Sequence, residues 1–261
     1  MTAPEGTANG SEAPKIPARE VRPLLRRHYR AVTVDGCTHA GGGFRILFDG
    51  KTLRTPAKAV LVLPTRALAE AVAAEWAAQS EHIDPSTMPL TRLVNSAIDG
   101  VRGREAEVRN AIAKYAESDL LCYRTDSPAT LVRRQAELWD PVLAWVRDEL
   151  GVSLVVAAGV MPLTQPDSAR TALARALGGH DEFTLVALHV MTTLMGSALL
   201  TLAHARGRLG LEQAWAAAHV DEDWQISQWG EDAEAAARRR RRWLEFAAAS
   251  SLLRLLTTAA C

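Results

Sequence analysis

The chain has 261 residues, 48% of them hydrophobic, enough for one large or two ordinary domains with a real core. Its 30 basic and 30 acidic residues cancel, so no global field draws it to nucleic acid or anionic lipid. Three scattered cysteines (Cys37, Cys122, Cys261) and seven dispersed histidines offer no disulfide framework, no CxxC pair and no metal-ligand spacing.

The first stretch, MTAPEGTANGSEAPKIPARE, is rich in Pro, Gly, Ala and Glu and lacks an apolar core. It matches neither a secretory signal nor a transit peptide, and residues 1–26 are expected to form a disordered arm. Strands are expected next, because HYRAVTV alternates apolar and polar positions and GFRILF and AVLVLP follow. Asp49-Gly50 marks a tight turn, since glycine accepts a positive φ. Gly41-Gly42-Gly43 lacks phosphate-loop spacing and precedes a strand, so it reads as a hairpin loop.

Helices begin at Thr65, a candidate N-cap for TRALAEAVAAEWAAQ, where Leu68, Val72 and Trp76 share a face. TRLVNSAIDGV and REAEVRNAIAKYAES give two more helical stretches before the short apolar piece DLLCYR, in which Cys122 reads as a core thiol. Ser127-Pro128 predicts a cap with proline in the first helical turn. The helix that follows buries Leu131, Leu138, Val142, Val146 and Leu150, with Pro141 expected to kink it. VSLVVAAGV reads as extended, and helices are expected near 167–178, 181–206, 210–220 and 221–256. Residues 183–205 carry no Asp, Glu, Lys or Arg over a length that could span a bilayer, but two histidines, four threonines, a serine and a glycine favour a buried core helix.

The fold class is therefore α+β. A disordered arm (1–26), a small β-containing N-terminal domain (27–120) and a mainly α-helical C-terminal domain (121–261) are expected. No GxSxG elbow or other catalytic constellation is visible, so neither enzymatic activity nor a cofactor is expected. Five consecutive arginines, Arg238 to Arg242, spread around a helix and cannot form one nucleic-acid stripe. They read either as a solvated helix end or as a contact for an acidic protein partner. All seven tryptophans lie in expected helices, and Trp76 and Trp139 are taken as core filler. On HVDEDWQISQWGEDAEAAA, Glu222, Ile226, Trp229 and Ala233 share a helical face while Trp224 points away. Glu222 then either complements a helix N-terminus or is a charged contact beside an interface indole.

Several long blocks carry a resemblance: TPAKAVLVLPTRALAEAVAAEW, MPLTRLVNSAID, SDLLCYR, RRQAELWDPVLAW and DEDWQISQWGED, in this order. From about His28 to Phe246 the chain resembles the Atp-twelve family of ATP synthase assembly factors of mitochondria and alphaproteobacteria. The resemblance implies a chaperone that binds unassembled alpha subunit of the F-type ATP synthase and prevents its aggregation until beta subunit replaces it. It implies an important acidic residue in DEDWQ, carried to Glu222 with Asp223 next, and a partner-binding set of Glu222, Asp223, Gln225 and Trp229. Met195 stands before Gly196-Ser197 where the family often has threonine, and the arginine run is stronger than the family pattern. A bacterial cytoplasm (or the mitochondrial matrix of a eukaryote), a monomeric free state, no nucleic-acid partner and no membrane insertion are expected. The rival reading is a small-metabolite enzyme with an interdomain pocket.

Overall fold

The structure, a computed structural model, describes residues 23–36, 42–159 and 161–257. Most of the expected arm, together with Cys37, Gly41 and Cys261, lies outside the described residues. Strand β1 (Leu25–Arg26) is followed by β2 (Val32–Gly36) and β3 (Phe44–Phe48), which pair antiparallel from Val32–Phe48 to Gly36–Phe44. The other edge of β3 carries β4 (Lys51–Thr52) and, at its far end, β5 (Val62–Leu63). Asp49 and Gly50 both take positive φ, 46° and 81°, as the two-residue hairpin needs. The Asp49 carboxylate accepts the backbone N–H groups of Ala31 and Arg30, which holds it below its ordinary pKa. Gly43 is required by contact as well as by its φ of 115°, because a Cβ there would lie 2.7 Å from Val62 Cγ1.

Helix α1 (Arg66–Ala77) starts as expected, with Thr65 Oγ1 accepting from Leu68 N at 3.2 Å, and buries Leu68, Ala69, Val72 and Ala73. Strand β6 (His82–Ile83) pairs with β1, and α2 (Pro89–Ser96) runs into a wider turn at Ala97–Val101. The start of α2 is capped from outside: the Glu75 carboxylate accepts Leu90 N (2.8 Å), Thr91 N (2.7 Å) and the Thr91 hydroxyl (2.7 Å). Helix α3 (Glu105–Ala113) leads to β7 (Tyr123–Arg124), and α4 (Ala129–Leu150) stays one helix through Pro141. It buries Leu131, Val142, Val146 and Leu150, with Leu138 only half-buried and Trp139 fully inside. Pro128 occupies the cap position itself and supplies no side-chain acceptor, so the expected cap at Ser127-Pro128 does not form.

Strand β8 (Ala157–Ala158) lies parallel to β7. Then come α5 (Asp167–Ala176), α6 (Glu182–Met195), α7 (Ala198–Ala205), α8 (Leu211–Ala218), α9 (Val220–Trp229) and α10 (Ala233–Thr257). The helices expected at 181–206 and 221–256 are each two. Gly196 (φ 65°) ends α6 in the left-handed region, Ser197 caps α7, and Gly230 (φ 85°) ends α9. Among the described residues no helix is long and apolar enough to cross a membrane. Residues 183–205 instead give two adjacent helices lined with buried side chains.

Candidate functional site

The α9–α10 hairpin carries the residues that the sequence singles out. Asp221, Glu222 and Asp223 all sit in the first turn of α9, where negative charge suits the free N–H groups and the positive end of the helix dipole. Each has a further partner. The buried amide of Gln135, on α4, donates to Asp221 Oδ1 at 2.7 Å and accepts Thr125 N at 2.9 Å. Nearby, Trp139 Nε1 donates to Ala217 O at 2.7 Å. The Gln135–Asp221 bond ties the start of α9 to α4, and the Trp139 bond ties the end of α8 to the same helix.

Glu222 and Asp223 converge on Arg239 of α10. Glu222 Oε2 stands 3.9 Å from its guanidinium, and Asp223 Oδ1 makes the closer ion pair. The arginine is largely covered while both acids remain about 40% exposed, so the pair closes the hairpin yet leaves carboxylate surface to water. Glu222, Gln225, Ile226, Trp229 and Arg239 line a shallow cleft of about 250 Å³ between the two helices. Asp223 lies beside this cleft, on Arg239.

Trp229, in the last turn of α9, is 74% exposed. Trp224 does not point away from it: the two rings meet edge to face with centroids 5.5 Å apart. Ala233, expected on the same helical face, belongs to α10, because Gly230 breaks the run first. His219, at the start of α9, stacks on Trp215 at 3.8 Å and hydrogen-bonds Trp215 O through Nδ1 at 2.9 Å. Burial lowers its pKa.

The arginine run is divided among partners. Arg238 pairs with Glu234 at 2.7 Å, Arg239 with the α9 acids, and Arg242 donates to Leu194 O, while Arg240 and Arg241 are exposed. Sequence reasoning missed Arg239, Gln135 and Asp221 as organisers of the site. An arginine inside a run of five carries no positional signal, and a glutamine 86 residues away in sequence gives none either.

A second polar centre lies inside the protein. Asp119 is fully buried and accepts the Ser197 hydroxyl (2.7 Å), Leu121 N and Leu199 N (3.2 Å each). Burial raises its pKa to about 6 against these bonds, which act to lower it. The neighbouring Cys122 thiol, buried and facing Asp119, is pushed up to about 12, the behaviour of a core thiol rather than a nucleophile. Among the described residues no group of three or more His, Cys, Asp or Glu side chains could hold a metal ion.

Comparison with known proteins identifies the relatives of this fold. The family model described as ATP12 chaperone protein matches residues 26–147. The chain is similar to the Atu1473 protein of Agrobacterium tumefaciens, provisionally described as a chaperone: 48% identity, 90% of this chain and 87% of that one, TM-score 0.85. It is also similar to Atp12 from Paracoccus denitrificans: 40% identity, 89% of this chain and 98% of that one, TM-score 0.82. A mutant of the Paracoccus protein matches equally well. The α+β fold is thus that of a class of chaperones. Within that class, the chain belongs to the ATP12 chaperone family.

Proposed function

We propose that this protein holds newly made alpha subunit of the F-type ATP synthase and keeps it from aggregating while the catalytic head is assembled. The client contact is the α9–α10 surface of Glu222, Asp223, Gln225 and Trp229, and the site of action is the bacterial cytoplasm. The observation that carries the reading is Trp229. A 74% exposed indole on a braced helix end is costly to leave in water and is the commonest kind of interface anchor. The carboxylates beside it add charge that can select a partner without burying an unpaired ion.

A subunit awaiting its neighbours exposes a large apolar interface that aggregates at cellular concentrations. Its holder has to cover that surface and then give way, which favours a small contact with a few anchors over an obligate one.

The test is light scattering of purified alpha subunit diluted from denaturant, with the chaperone present. Wild type should suppress the scattering, and Glu222→Lys and Trp229→Ala should each lose most of that protection. Because Glu222 is the looser of the two partners of Arg239, its replacement should cost no more than about 1 kcal/mol of stability. Wild-type protein that leaves alpha subunit to precipitate would end the proposal. A Glu222→Lys chain that unfolds would make that carboxylate a structural group.

A further inference from the structure

A larger apolar groove lies in the β-containing part of the molecule and shares no lining residue with the α9–α10 cleft. Its volume is about 710 Å³, within the range of about 300–1,000 Å³ usual for ligand clefts. The interior is aromatic and fixed. Tyr29 stacks on Phe48 at 4.1 Å, Trp76 meets Phe48 edge-on at 5.0 Å, and the Tyr29 hydroxyl donates to Trp76 O at 2.7 Å. Met88 and Ile83 complete the buried wall.

Two lining residues bury polar atoms that have no partner: the Trp76 indole N–H and the Asn95 side-chain carbonyl oxygen. A buried donor left unpaired is unfavourable, and most proteins avoid it. A donor and an acceptor are the kinds of group that a peptide unit, with its own C=O and N–H, can satisfy.

Charge narrows the occupant. Lys51 and Arg54 stand exposed among the groove's lining residues, while Arg92, also exposed, pairs with Glu245 at 3.3 Å. Among the described residues the one carboxylate lining it is Asp49, which is already engaged by the backbone N–H groups of Arg30 and Ala31. The rim is therefore net cationic over an apolar floor.

We propose that this groove is a second client-docking site, which takes an extended peptide segment bearing an aromatic or branched apolar side chain next to an acidic residue. The apolar side chain enters against Trp76 and Phe48, the peptide backbone pairs with the indole N–H and Asn95, and the acid meets Lys51 and Arg54. This rests on membership of a chaperone family and not on the identity of the client or on the α9–α10 contact.

Fluorescein-labelled peptides with a Leu-Phe-Val core, flanked by glutamates or by lysines, can be titrated into the full chain by anisotropy. The acidic peptide should bind at least about tenfold tighter than the basic one, and the difference should shrink in high salt. Lys51→Glu, an exposed substitution that does not touch the core, should narrow or reverse the preference. Trp76→Phe keeps a ring and removes the N–H, and should weaken binding of both peptides several-fold. Glu222→Lys should leave both affinities unchanged, and this separates the groove from the hairpin: peptide binding lost with Glu222→Lys would overturn the proposal. So would equal affinity for the two peptides, or no binding. Binding that emerges only when residues 1–22 are deleted would assign the groove to that segment and overturn the client reading. A dimer of the wild-type chain that Lys51→Glu dissociates would do the same in favour of a second copy.

Discussion

Asp119 and Glu75 show how a covered carboxylate can be held by backbone N–H and hydroxyl groups. Each accepts hydrogen bonds at the start of a helix, Asp119 at α7 and Glu75 at α2, where backbone N–H groups have no intrahelical partner. Desolvation still dominates both, and both pKa values are raised. The folded-state pKa of Asp119, about 6, lies above the unfolded value near 4, so the native protein binds this proton more tightly than the unfolded chain does. The resulting stabilisation is present below about pH 4 and is lost as pH rises through about 6, on the order of 3 kcal/mol. Asp119→Asn imitates the protonated side chain and should abolish this contribution. Urea midpoints between pH 4 and pH 8 give the check: the wild-type minus variant difference should fall across the window. A difference that is flat with pH would show that Asp119 is ionised at equal cost in both states. Nothing in DLLCYR reveals this group from sequence, because its partner Ser197 is 78 residues away. Glu222 stands out in the sequence through the helical face it shares with Ile226 and Trp229 and through the resemblance of DEDWQ to the family's acidic segment, but its ion pair with Arg239 does not.

The helices were legible wherever a side-chain period or a cap was local. Thr65, the Leu68–Val72 face and the Asp49-Gly50 turn were all readable because each depends on neighbours within four residues. The breaks inside 181–206 and 221–256 were not, because an apolar or charged run keeps its composition across a glycine that leaves the helix. Gly196 and Gly230 do so through positive φ, and the second break is what turns one long helix into a hairpin with a cleft. The physical cost of alanine at such sites should depend on what surrounds them. At Gly196 a Cβ meets nothing within 4 Å, so Gly196→Ala should cost only the left-handed backbone penalty, about 1–2 kcal/mol. At Gly43 the Cβ would also stand 2.7 Å from Val62 Cγ1 and 3.0 Å from Leu63 O, where β3 meets β5. Gly43→Ala should therefore lower the thermal midpoint clearly more than Gly196→Ala. Equal midpoints would mean that the strand pair relaxes freely around the added methyl.

Across the whole chain, the order of strands then helices was readable, but the place of α10 was not, because helix pairing is decided in three dimensions and leaves no local signature. The last helix packs against α6 and also against α1 and α2, and Thr65 Oγ1 donates to Leu255 O at 2.9 Å across 190 residues. Arg92 reaches Glu245 at 3.3 Å at the same junction. One continuous core joins Tyr29 and Ile46 to Phe246 and Leu252. A sequence division near residue 120 would cut through these contacts, so α1 and α2 should be unable to hold their buried faces without α10. We therefore expect the strands and helices to unfold together, with calorimetric and van't Hoff enthalpies that agree. A chain shortened to 23–120 should fail to give a cooperative transition. Two separate heat-absorption peaks in the full chain, or a cooperative melt of the short one, would show that the β-containing part is stable alone and that α10 only leans on it. That distinction bears on how a client could be released. If the parts share one core, a client held at the hairpin and another at the aromatic groove would be bound by a single rigid frame, and release at one site could not proceed by detaching the other.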